Sequence, residues 1–176
     1  MDGQLPEDCL TCGEALMGVF PVKPQRFFAD LSLWNNSKEE PMSTQIFVNL
    51  PVKNLNQSIE FFTQLGFEFN SQFTDETSTC MIVSENIFVM LLTHEKFKTF
   101  TPKEICDATK STEALVCLSF DSREQVDEIV RKAVAAGGTT YNEPQDHGFM
   151  YGHGFADLDG HIWEIIYMEP SAISQG

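Results

Sequence analysis

Positive charge is what this chain has least of. Only 11 Lys and Arg stand against 26 Asp and Glu, a net charge of -15 at pH 7. A field of that sign repels phosphate backbones and anionic lipid headgroups, so neither nucleic acid nor a membrane surface is expected as a partner. Long apolar runs are missing too, since none nears the ~20 residues that span a bilayer. Asp2, Glu7 and Asp8 occupy the stretch where an export signal needs positive charge, so the expected location is cytoplasmic. Cysteines are few and odd in number: Cys9, Cys12, Cys80, Cys106 and Cys117. With two of them inside strand-like runs, they read as reduced thiols and not as a disulfide framework. Cys9 and Cys12 have metal or redox spacing, but no second pair completes four ligands.

What is present describes a globular chain. Its 176 residues are 42% hydrophobic and include 15 Phe, enough for one domain with a real core. Residues 1–41 differ from the rest: Pro6, Pro21, Pro24 and Pro41 interrupt them and no clean period holds. They are expected to be a leader or extension, poorly ordered, with Met42 as the working start. Residues 42–170 then form the domain and 171–176 a tail.

From Thr44 onward the pattern turns regular. Residues 45–52 read as a strand, and Asn54 caps a helix over 55–65 that Gly66 stops. Strands follow at 67–73, 78–84 and 86–93. After a connection in which Pro102-Lys103-Glu104 opens a short helix, the order repeats. A strand at 113–121 leads to a Ser122 cap, a helix ended by Gly137-Gly138, and strands at 139–143, 150–157 and 161–168. The chain therefore reads as α+β, two β-α-β-β-β modules at about 44–94 and 112–169. Each module covers one sheet face with its helix, and pairing the two leaves a half-closed, barrel-like sheet around a cup, helices on the outer face.

Asp157-Leu158-Asp159-Gly160 is turn chemistry, and the strand after it carries one carboxylate, Glu164, between hydrophobic neighbours. An ionised group there needs a partner. That ending, the opening run from Phe47 to Phe62, the following Leu65-Gly66-Phe67 and the duplicated order together resemble the vicinal oxygen chelate superfamily, which includes glyoxalase, bleomycin resistance protein and extradiol dioxygenase. The resemblance implies a homodimer and, in metal-dependent members, four side chains holding a divalent ion. Those positions fall at Phe47, Leu91, Leu115 and Glu164, of which only Glu164 can ligate. No cofactor is therefore expected. A divalent metal remains open only through displaced ligands, Glu164 with His147 and His153.

Strand alternation supplies the rest of the cup lining. Phe47, Asn49, Leu91, Leu115, Cys117 and Glu164 are expected inward, with Phe149 and Tyr151 from the Gly-rich stretch beside them. Glu164 reads either as a general acid or base, or as a structural group bonded to Asn49, Thr93 or a backbone amide. Cys117 is either a nucleophile or core. The expected function is binding of a small, largely apolar or cationic molecule without the usual metal. The alternatives are a metal-dependent lyase or dioxygenase, or an interaction protein whose cup is vestigial.

Overall fold

Two amphipathic helices set the frame. The computed structural model describes residues 43–173, so the expectations for residues 1–41 and for the Cys9–Cys12 pair lie outside the described residues. Helix α1 (Leu55–Leu65) buries Leu55, Ser58, Phe61, Phe62 and Leu65, one stripe at helical spacing. The Asn54 side chain accepts the Gln57 N–H at 3.2 Å, and Gly66 closes the helix at φ 103, a left-handed value open to glycine. The second long helix runs Arg123–Ala135, is capped by Ser122, and buries Val126, Ile129, Val130 and Ala133.

Strands β1 (Ile46–Val52), β2 (Glu68–Asn70), β3 (Ser78–Ser84) and β4 (Ile87–Thr93) form one sheet in the order β1-β4-β3-β2. A five-residue helix α2 (His94–Lys98) follows β4, making Arg123–Ala135 helix α3. Strands β5 (Leu115–Ser119), β6 (Gln145–Asp146), β7 (Met150–Ala156) and β8 (Ile162–Met168) form the second sheet, β5-β8-β7-β6. A short α4 (Pro170–Ile173) ends the described chain. In each sheet the first and last strands run parallel, because the helix between them carries the chain across. The sheets do not close, and the two-module α+β architecture stands as expected.

Three local expectations need correction. The strand expected over 67–73 stops at Asn70, whose side chain accepts the Gln72 N–H at 3.0 Å and turns the chain into a 3-10 turn. The short helix forms at His94–Lys98, not at Pro102, because the Thr93 hydroxyl caps it. The strand expected over 139–143 reduces to a single bridge, Thr139 to Ala156, with β6 beginning only at Gln145.

One apolar core joins both modules. Phe62 of α1 lies 5.0 Å from Trp163 of β8, and Phe61 lies 6.1 Å from Phe155 of β7. A polar joint supplements it. His161, 3% exposed, meets Glu113 Oε1 at 2.5 Å through Nδ1 and the Pro51 carbonyl at 2.7 Å through Nε2. Only the imidazolium offers a donor to both oxygens. Burial opposes that charge, but the Asp157 carboxylate, the Pro51 carbonyl and Glu113 outweigh it and raise the pKa above its ordinary 6.5. Asp159 is the third carboxyl in the joint, accepting the Lys53 N–H at 2.9 Å.

A group raised in the folded state contributes fully below its unfolded pKa and loses that contribution as pH climbs through the folded value. Melting temperature is therefore expected to fall as pH rises above the ordinary imidazole value of 6.5. His161→Gln flattens that slope. A flat profile in the unsubstituted protein would overturn the assignment of a charged His161.

Candidate functional site

Alternation along β8 divides its side chains between two faces. Trp163 and Ile165 are fully buried on the helix side, leaving Ile162, Glu164 and Ile166 on the face without a long helix. Register then names their neighbours. On β5, Leu115, Cys117 and Ser119 pair with Ile162, Glu164 and Ile166. On β7, Ala156, Gly154 and Gly152 pair with the same three residues. Leu115 is 56% exposed, and Cys117 and Ser119 are exposed beside it.

The first sheet repeats this layering. Phe47 and Asn49 pair with Phe88 and Met90 on the face away from α1, and the rings of Phe47 and Phe88 stack at 4.9 Å. Leu91 is the correction: it is wholly buried in the core on the helix side, with Val89. The counterpart of Glu164 in this sheet is Met90, one residue earlier. β4 is apolar on both faces, so its sequence has no alternation from which to read the inward phase.

Glu164 is half-buried, and among the described residues nothing hydrogen-bonds or ion-pairs with its carboxylate. The structural alternative of bonds to Asn49 or Thr93 is therefore not realised. Burial first, and the negative Glu164 second, push the Cys117 thiol up. A thiol so placed stays protonated near neutral pH, the wrong state for a nucleophile.

Tyr141 belongs to this face and was missed. A Cβ built on Gly154 would sit 2.1 Å from Tyr141 Oη, so the phenol lies in the space that the glycine leaves open. Burial raises the Tyr141 pKa, and the charges of Glu164 and Cys117 add to it. The signal was the Gly152-x-Gly154 spacing on one strand face, which marks close approach of another group.

The other expected residues lie elsewhere. Tyr151 projects to the helix side, where its hydroxyl donates to Asp127 of α3 at 2.8 Å and Arg123 covers its ring at 5.3 Å. It faces away from Glu164 because it is one residue out of phase with Gly152. His153 shares that side, its Nε2 3.3 Å from the Asn142 carbonyl oxygen. His147 sits exposed in the connection before β7, its backbone N–H bonded to the Met150 carbonyl. Phe149, in the same connection, is 53% exposed.

His147, His153 and Glu164 therefore do not converge. Among the described residues no three His, Cys, Asp or Glu side chains are placed to share a metal ion. The donors on the Glu164 face, one carboxylate, one thiol, one phenol and the Ser119 hydroxyl, do not make the set of several carboxylates or imidazoles that holds a divalent ion. A separate groove lined by Lys53, Asn54, Asp75 and Glu76 lies at the start of α1, where Asp75 Oδ1 accepts from Thr77 and Ser78. No described helix is long and apolar enough to cross a membrane.

Known proteins share this fold. The family model described as Glyoxalase/Bleomycin resistance protein/Dioxygenase superfamily matches residues 45–165. A hypothetical protein from S. aureus is 28% identical at a TM-score of 0.62, over 72% of this chain and 94% of that one. A glyoxalase/bleomycin resistance protein/dioxygenase family enzyme from Burkholderia phytofirmans is 18% identical at 0.60, over 72% and 100%. A genomically encoded fosfomycin resistance protein from Listeria monocytogenes is 18% identical at 0.53, over 73% and 93%. At 18% identity the last two share the fold alone. No curated protein matches.

Proposed function

This chain belongs to the glyoxalase/bleomycin resistance protein/dioxygenase superfamily, and on that premise we propose that it binds a small, largely apolar molecule with a cationic head, without a resident divalent metal. One observation carries the reading: among the described residues nothing hydrogen-bonds or ion-pairs with the Glu164 carboxylate, on a face that also carries Leu115, Ile162 and Ile166. A half-buried charge in such surroundings is satisfied by an opposite charge from outside the chain. The net charge of -15 draws cations toward the protein as a whole.

Titration with benzylammonium and with neutral benzyl alcohol tests this. The cation is expected to bind more tightly, and Glu164→Gln to weaken it about tenfold or more, the size of one charge-assisted contact. Equal affinity for both compounds, or no change in Glu164→Gln, would overturn the reading. A stoichiometric divalent ion in protein purified without chelator would overturn its metal-free part.

A second copy of the chain belongs to the same proposal. β1 and β5 are end strands of their sheets, and they carry Ile46 at 53%, Phe47 at 50% and Leu115 at 56% exposure. Open edges with apolar side chains invite pairing. Light scattering is expected to give twice the chain mass. A monomer at micromolar concentration would refute the pairing.

A further inference from the structure

Tyr141, Gly154, Glu164 and Cys117 form a row across the face of the second sheet. Thr139 bridges Ala156 and Gln145 pairs with Gly152, so the segment between them runs antiparallel beside β7 and places Tyr141 alongside Gly154. A Cβ at Gly154 would meet Tyr141 Oη at 2.1 Å, Cζ at 2.6 Å and Cε1 at 2.9 Å. Gly154 is thus the seat of the phenol. In register, Gly154 pairs with Glu164 and Glu164 with Cys117. Neighbouring strands lie ~4.8 Å apart, which brings the phenol over Gly154 to the side of the carboxylate.

Both oxygen-bearing groups are open to a ligand among the described residues. Among the described residues no hydrogen bond reaches the Tyr141 hydroxyl or the Glu164 carboxylate, and Tyr141 is 44% exposed. Burial and the neighbouring Glu164 carboxylate hold the phenol's pKa up, so it stays neutral and keeps its lone pairs for an incoming donor. Two acceptors side by side, one charged and one neutral, next to Ile162, Ile166 and Leu115, ask for a group with at least two N–H donors, one positive charge and an apolar body. A quaternary ammonium supplies the charge but no donor.

We propose that Tyr141 is the specificity-determining residue of the Glu164 site, and that with Glu164 it selects protonated primary amines over quaternary ammonium ions. This rests on the reading of Glu164 as a cation site. Gly154 is a positioning residue, since any side chain there displaces the phenol.

The test is calorimetric titration of the full chain with benzylammonium and with benzyltrimethylammonium. The unsubstituted protein is expected to prefer benzylammonium by about tenfold, the worth of one additional hydrogen bond in a half-buried site. Tyr141→Phe keeps the ring and removes the oxygen, so it should bring that preference near unity while leaving the affinity for benzyltrimethylammonium within about twofold. Gly154→Ala is expected to have the same effect by moving the phenol away, with an unchanged near-ultraviolet spectrum of the buried Trp163 reporting an intact fold.

If Tyr141→Phe and Gly154→Ala both retain the preference, the role of Tyr141 is refuted. In that event Glu164→Gln still weakens both cations if the cation site is real. If the unsubstituted protein binds neither compound, the cation site itself falls and Tyr141 with it.

Discussion

Asp157→Ala is expected to lose about 3–5 kcal/mol of folding stability, the range for removing one partner from a buried charged cluster. Asp157 is 8% exposed and is the acceptor at the centre of the final turn. Its Oδ1 takes the backbone N–H of Asp159 and of His161, each at 3.0 Å, and its Oδ2 takes the Trp163 indole N–H at 3.0 Å. Alanine leaves all three donors without an acceptor and removes the negative neighbour of the His161 ring. Burial pushes the Asp157 carboxyl up, so these donors are what make its place tenable. Chemical denaturation measures the loss. A change under about 1 kcal/mol would mean that water replaces the carboxylate, and that the turn is less closed than its geometry indicates. Asp157→Asn is expected between the two, because an amide keeps one acceptor oxygen but sets its NH2 against the remaining donors.

Trp163→Ala is the second large effect, also about 3–5 kcal/mol, the usual range for deleting a large buried aromatic. The indole is fully buried between modules: it stacks on Phe155 at 6.2 Å and 7°, and Phe62 of α1 lies 5.0 Å away. A cavity there separates the first module's helix from the second module's sheet, so both modules feel it. Trp163→Phe should recover much of the loss, since a phenyl ring still stacks while only the Nε1 bond to Asp157 disappears. Asp157 and Trp163 share that bond, so the double substitution should cost less than the sum of the two. A strictly additive result in denaturation would show that the indole and the turn act independently.

Most of the local architecture was legible. Helix α1 and strand β3 occur where their patterns place them; for α1 the stripe of Leu55, Ile59, Phe62 and Leu65 between Asn54 and Gly66 has helical spacing, although Phe61 is buried in place of the half-buried Ile59. The face of β8 was legible for a related reason. One carboxylate among aliphatics gives the strand a polarity, so Glu164 and Trp163 separate onto opposite sides. Leu91 was misassigned because β4 has no such marker, and Tyr151 because two glycines on its strand leave its phase blank.

The candidate site divides similarly. Glu164, Cys117 and Leu115 could be placed on one face from alternation alone. Tyr141 could not, since it lies in a connection with no period and its position depends on the empty side of Gly154. Nothing near His161 in the chain marks it as a joint, yet it lies buried with its ring against Pro51, 110 residues away.

Local chemistry therefore settled the two-module order, the helix limits, the final turn and the single inward acid. Periods of 3.6 and 2, caps and turns act between residues near one another in the chain, and those are written in the sequence. Tertiary structure alone decided which face β4 turns inward, that a phenol lies beside Glu164, and that a histidine joins the modules. Each of these depends on interstrand register or on a long-range approach, and no nearby residue encodes either.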